Sequence, residues 1–187
     1  SKRKFKIYRV PGQYNFYVGE APSSVVKKFF DAFQENVMTD ENVARAKELG
    51  LTMDEVLTIA SIIQREAANN EQMYIVSSII HNRLNSNSFP HLGCEAVDIY
   101  YQREILPNSS TARANELFQG YSAYGTEGLP NGPICSPGLA AIDAALNPEK
   151  SDYYFFCHDS KGKIYLGRNE TEHNANLKKV YSGATDE

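Results

Sequence analysis

Between residues 26 and 37, Val26, Phe29, Phe30, Phe33 and Val37 recur at helical spacing, which predicts a helix with one apolar face. It follows Pro22, with Ser23 or Ser24 available as its N-cap. A short polar helix is expected over residues 41–48, stopped by Gly50. Thr52 and Glu55 then form a T-x-x-E capping box directly before the apolar stripe Val56, Ile59, Ala60, Ile63 and Ala67. Another stripe, Ile75, Val76, Ile79, Ile80 and Leu84, runs into the polar cluster at residues 85–88. These two long helices, joined through Asn69 and Asn70, are expected to lie antiparallel.

Outside that helical centre the pattern changes. Residues 5–10 and 14–18, around Pro11-Gly12, read as two strands. Residues 86–135 are rich in Gly, Pro, Asn and Tyr, with a short helix near 96–102. So long a loop-rich stretch inside a domain is more often functional than decorative. Ser136-Pro137 supplies an N-cap and a first-turn proline for a helix over 139–146, closed by Pro148. Residues 153–157 read as a buried strand, 159–162 as a turn and 163–166 as the returning strand. A last helix is expected over 171–180. The class is α+β, with strands near both ends of a helical centre.

Composition narrows the function classes. At 187 residues, 42% apolar and 22% charged, the chain suits a single domain over 1–187. A net charge of −4 lacks the basic footprint of a nucleic-acid binder. The basic run Lys2-Arg3-Lys4-Phe5-Lys6 reads as a solvated terminus. No stretch reaches the roughly 20 apolar residues of a membrane span. The chain opens without Met inside a strand-like segment, so any membrane anchor is expected upstream of Ser1. Cys94, Cys135 and Cys157 cannot all pair, and no Cys/His spacing suggests a metal site.

Glu66 carries the most chemistry. It lies seven residues after Ile59, four after Ile62 and three after Ile63, which places it on the apolar face of its helix. A carboxylate there either reaches solvent at a frayed helix end or faces a cleft. In a cleft, desolvation would raise its proton affinity, as a general acid near neutral pH requires.

The stretch Leu57-Thr-Ile-Ala-Ser-Ile-Ile-Gln-Arg-Glu66-Ala resembles the motif of YceG-like endolytic murein transglycosylases of the MltG type. Asn82-Arg83-Leu84, the block from Gly128 to Ile134 with Pro137-Gly138, the aromatic run Tyr153-Tyr-Phe-Phe156 and Glu172-His173-Asn174 follow in that family's order. The resemblance implies a distantly lysozyme-like active-site helix and cleavage of the β-1,4 bond between N-acetylmuramic acid and N-acetylglucosamine. The muramyl C6 hydroxyl attacks its own C1, leaving a 1,6-anhydro end, with Glu66 as general acid and base. Glu95, Asn82, Tyr121, Tyr124 and Asn131 are the expected substrate-binding residues. No cofactor or metal is implied. The implied partners are peptidoglycan glycan strands and the cell-wall synthesis machinery. The implied location is the cell membrane, through a single upstream anchor, with this domain extracytoplasmic.

Two family motifs are altered. The family's Leu-Gln-Ser-Asp-x-Thr stands here as Leu92-Gly-Cys-Glu95-Ala-Val97, and its Tyr-Asn-Thr-Tyr as Tyr121-Ser-Ala-Tyr124. A glycan-binding or scaffold domain that cuts poorly is therefore a second reading. A pyridoxal-phosphate lyase is a third, and it lacks a lysine in a phosphate-cradling context.

Overall fold

The computed structural model describes residues 10–182. Its elements are α1 (Pro22–Asn36), α2 (Asp40–Glu48), α3 (Met53–Glu66), α4 (Asn70–Leu84) and α5 (Glu95–Tyr100), which runs into a π-helical turn (Tyr101–Ile105). Then come α6 (Thr111–Phe118), α7 (Leu139–Leu146), β1 (Phe155–His158), β2 (Ile164–Gly167) and α8 (Glu170–Ser182). The class is α+β, mostly helical, with one two-stranded antiparallel sheet.

α3 is the centre. Every residue from Val56 to Ile63 is buried, so this helix is enclosed all round, as a helix at the heart of a domain must be. α7 packs closest against it, its Ala141, Ala144 and Ala145 letting the backbones approach. α4 and α5 cover other sides. The buried hydroxyls are internally satisfied: Thr58 donates to the Asp54 carbonyl, and Ser61 donates to that of Thr58 while accepting the Ile134 N–H. The capping box predicted at Thr52 and Glu55 is present in both directions. α4 begins at an Asn69 cap that accepts the Gln72 N–H.

Several expectations are corrected. Residues 14–18 form no strand: Tyr14 and Phe16 turn their rings onto Phe29 of α1, and the Tyr14 hydroxyl donates to the Val10 carbonyl. Residues 5–9 lie outside the described residues, so within the described chain strands occur only towards the C-terminal end. α1 is capped by neither serine; it starts at Pro22 behind Ala21, because proline presets the first-turn φ. α7 starts at Leu139 as expected, but its cap is Gly138 instead of Ser136, and the Gly138 N–H is taken by the Gln64 side chain. The returning strands hold their predicted turn, where Asp159 accepts the N–H groups of Lys161 and Lys163. β1 is half-buried instead of buried, because one side of it is open. Among the described residues no helix is long and apolar enough to cross a membrane.

Candidate active site

α3 ends at Glu66, and its side chain does not run off into bulk solvent. It is half-buried, and its Oε1 accepts the Ala96 N–H at 3.1 Å from the first turn of α5. Burial raises the proton affinity of this carboxyl above the ordinary glutamate range. The Ala96 bond and the Arg65 charge pull it down, and the Glu95 charge pushes it further up.

Glu66 opens into a cleft of about 740 Å³. Glu95, the exposed first residue of α5, lies beside it on the same lining. Segments far apart in sequence build the walls: the end of α4, the loop at residues 88–93, β1, and the inner side of α8. Arg83 ties three of them together. Its Nε donates to the Tyr154 carbonyl at 2.6 Å and its Nη1 to the His91 carbonyl at 2.7 Å. Its guanidinium lies 4.5 Å from the Phe155 ring centre and 5.8 Å from that of Phe89, a cation–π arrangement. Gly93, at φ 65°, passes so close that a Cβ there would lie 3.3 Å from Arg83 Nη1. The loop is pinned from its other side, where Gly93 donates to the Ala123 carbonyl and Gly128 to that of Pro90.

Of the residues expected to bind substrate, Glu95 and Tyr124 line the cleft with Glu66, and Tyr124 is 70% exposed, an open aromatic face. Asn82, Tyr121 and Asn131 are not among the lining residues. Asn82 donates its amide to the carbonyls of Ser151 and Tyr153, fixing the approach to β1. Tyr121 packs on Tyr100 with ring centres 5.4 Å apart. Asn131 fills the space over Gly120, where any Cβ would collide with its side chain.

Two lining residues were missed as site candidates. Arg83 was legible: it follows Val76, Ile79 and Ile80 at helical spacing, so a charge sits on an apolar stripe. His173 is named from the sequence only within the Glu172-His173-Asn174 block. It stacks on Phe155 at 5.1 Å, with its Nδ1 buried and unpartnered among the described residues. Burial lowers its proton affinity, and the Arg83 charge adds to that, so the ring is neutral near pH 7.

The three cysteines are free thiols, and burial pushes that of Cys94 far up. Among the described residues no group of three or more His, Cys, Asp or Glu side chains gathers as metal ligands.

The comparisons with known proteins agree with this architecture. Residues 2–179 match the model of the YceG-like family. The chain is 29% identical over 175 residues to an endolytic murein transglycosylase of Streptococcus pneumoniae, covering 91% of this chain and 31% of that protein. It is 25% identical over 191 residues to an endolytic murein transglycosylase of Bacillus subtilis, covering 99% of this chain and 50% of that one. The crystal structure of a protein described as yceG-like from Listeria monocytogenes superposes with a TM-score of 0.74 at 28% identity, covering 91% of this chain and 54% of that one. The chain thus spans about half or less of the length of these relatives. A family match over almost the whole chain, with a fold shared with a yceG-like protein, makes this chain a member of the YceG-like family.

Proposed function

We propose that this chain is the catalytic portion of an endolytic peptidoglycan lytic transglycosylase, with Glu66 as its general acid and base. The observation that carries the reading is the placement of Glu66: a carboxyl with raised proton affinity, held by one backbone N–H, opening into a cleft of about 740 Å³. The names of the S. pneumoniae and B. subtilis relatives support the substrate class.

The chemistry needs only one such group. Protonated Glu66 gives its proton to the glycosidic oxygen as the muramyl C1–O bond breaks, and the glucosaminyl 4-hydroxyl leaves. The muramyl C6 oxygen then bonds to C1, and its proton returns to the Glu66 carboxylate. No water is consumed, so the carboxyl is regenerated in its acid form. Hydrolytic glycosidases divide these tasks between two carboxyl groups. Here Glu95 contributes charge: its carboxylate makes Glu66 hold a proton more tightly. Tyr124 offers a sugar-stacking face. The helix carrying Glu66 plays the part of the active-site helix of lysozymes. In the cell, a single upstream membrane anchor would hold the domain on the outer side of the membrane, against nascent glycan strands and the machinery that makes them.

The binding-only reading rests on the two altered motifs; in the one at residues 92–97, Gly93 presents no side chain to the cleft. The other altered positions of that motif, Cys94 and Val97, are buried in the core instead of facing substrate, and the acidic position is kept by Glu95. That favours the enzyme. Mass spectrometry of fragments released from purified peptidoglycan tests the choice: anhydro ends, lighter by one water than hydrolysed ends, are expected. Hydrolysed ends, or binding without release, would contradict it.

A further inference from the structure

The end of α3 and the start of α5 form a ridge between two hollows. Glu66 and Glu95 face the cleft, while their chain neighbours Arg65 and Ala96 line a second hollow of about 440 Å³ together with Tyr100, Arg103 and Glu104. The ridge is the Glu66–Ala96 hydrogen bond itself, so the second hollow begins one residue from the reacting centre.

The two hollows differ in charge. The cleft gathers Glu66, Glu95 and Glu170 against Arg83. The second hollow gathers Arg65 and Arg103 against Glu104. The arginines elsewhere among the described residues are engaged: Arg45 with Glu48, Arg83 with two carbonyls, Arg113 with Glu116, Arg168 with Asp152. Arg65 and Arg103 are exposed and make no ion pair or hydrogen bond among the described residues. Two unengaged guanidiniums that converge on one hollow suit a carboxylate, which their planar donor forks match two bonds at a time.

A glycan whose lactyl carboxyls are amide-linked to peptide stems carries no charge on its backbone, but each stem ends in carboxylates. We propose that this hollow receives the stem of the muramyl residue seated at Glu66, with Arg65 and Arg103 binding a stem carboxylate. The inference rests on the peptidoglycan reading above and adds a specificity to it: the sugar chain lies in the cleft and the stem crosses the ridge. Strands with free stem carboxylates are therefore preferred over strands whose stem carboxylates are amidated, and added salt weakens the preference, since both arginines are in contact with solvent.

Binding to the Glu66→Gln chain tests this without turnover. Soluble glycan fragments bearing peptide stems, and the same fragments with their stem carboxylates converted to primary amides, are titrated by calorimetry at low salt. The fragment with free stem carboxylates is expected to bind about fivefold or more tightly, the scale of a charge-assisted contact at a solvated site. Arg65→Ala/Arg103→Ala in the same background should abolish the difference, and Arg65→Lys/Arg103→Lys should keep part of it. Arg103→Glu, a single exposed change, should reverse the preference, which also serves if the double variant does not fold. Equal affinities in the Glu66→Gln chain, binding of neither fragment, or a preference that survives loss of both arginines would overturn the proposal. The digest by the unaltered chain separates the two readings. Anhydro products with equal affinities sink the stem hollow alone, whereas an arginine-dependent preference without products sinks the cleavage chemistry alone.

Discussion

Glu66 lies at the end of an apolar helix with one oxygen on a backbone N–H and the rest of its carboxyl facing a half-enclosed cleft. Burial makes the folded chain hold this proton more tightly than the unfolded chain. Between the ordinary glutamate range and the raised folded value, the folded state therefore binds more protons, and stability falls as pH rises through that window. Glu66→Gln removes the charge and keeps an oxygen for Ala96. Its melting temperature is expected to exceed that of the unaltered chain at neutral pH, with the gap closing below about pH 4, where the glutamate is protonated in both states. A gap of the opposite sign would mean that the carboxylate is stabilised in place. Asn82 makes the converse case. Its amide holds two backbone carbonyls, so Asn82→Ala should cost about 1–3 kcal/mol in denaturant unfolding. Its KM, measured below the unfolding range, should stay within about twofold, because the side chain does not line the cleft. Sequence alone placed Glu66 on the apolar face but could not choose between solvent and cleft. That choice depends on Ala96, thirty residues away, folding back to meet it.

Among the elements, the legible ones carry their own signals. The Thr52–Glu55 capping box and the stripe behind it fixed α3 almost to the residue, and the cap works in both directions. Thr52→Ala should cost about 0.5–2 kcal/mol, seen as a fall of about 2–4 °C in melting temperature per kcal/mol for a chain of this size. A loss confined to activity would mean that the cap does not support the helix. The elements that escaped are those whose form is imposed by partners. Residues 14–18 alternate like a strand, but their rings find α1 before their backbone finds a partner. α6, behind its Ser110 cap, was read as loop because its eight residues bury only Ala114. The π-helical turn after α5 has no sequence signature; it carries Tyr101 and Ile105 into the interior and leaves Arg103 outside.

Across the whole molecule, the cleft is a product of long-range assembly, which is why its lining was only partly legible. Glu66, Glu95 and Tyr124 were named from the sequence, while Asn82 was chosen over its neighbour Arg83, which joins α4, the loop at residues 88–93 and the approach to β1. Arg83→Ala leaves two carbonyls without their donor and should cost about 2–4 kcal/mol. It should also blunt activity at temperatures where the chain stays folded, because three cleft walls lose their common tie. Unfolding curves and rates measured on the same sample distinguish the two effects. The proposed mechanism rests on a single acid–base residue, Glu66, which the enclosed α3 delivers into a cleft walled by distant segments. Digesting purified peptidoglycan side by side with this chain and its Glu66→Gln variant tests that most directly. Anhydro-ended fragments from the unaltered chain, reduced at least about 100-fold in the variant, are the expected result. Comparable release by both proteins would contradict the assignment of Glu66 as the acid and base.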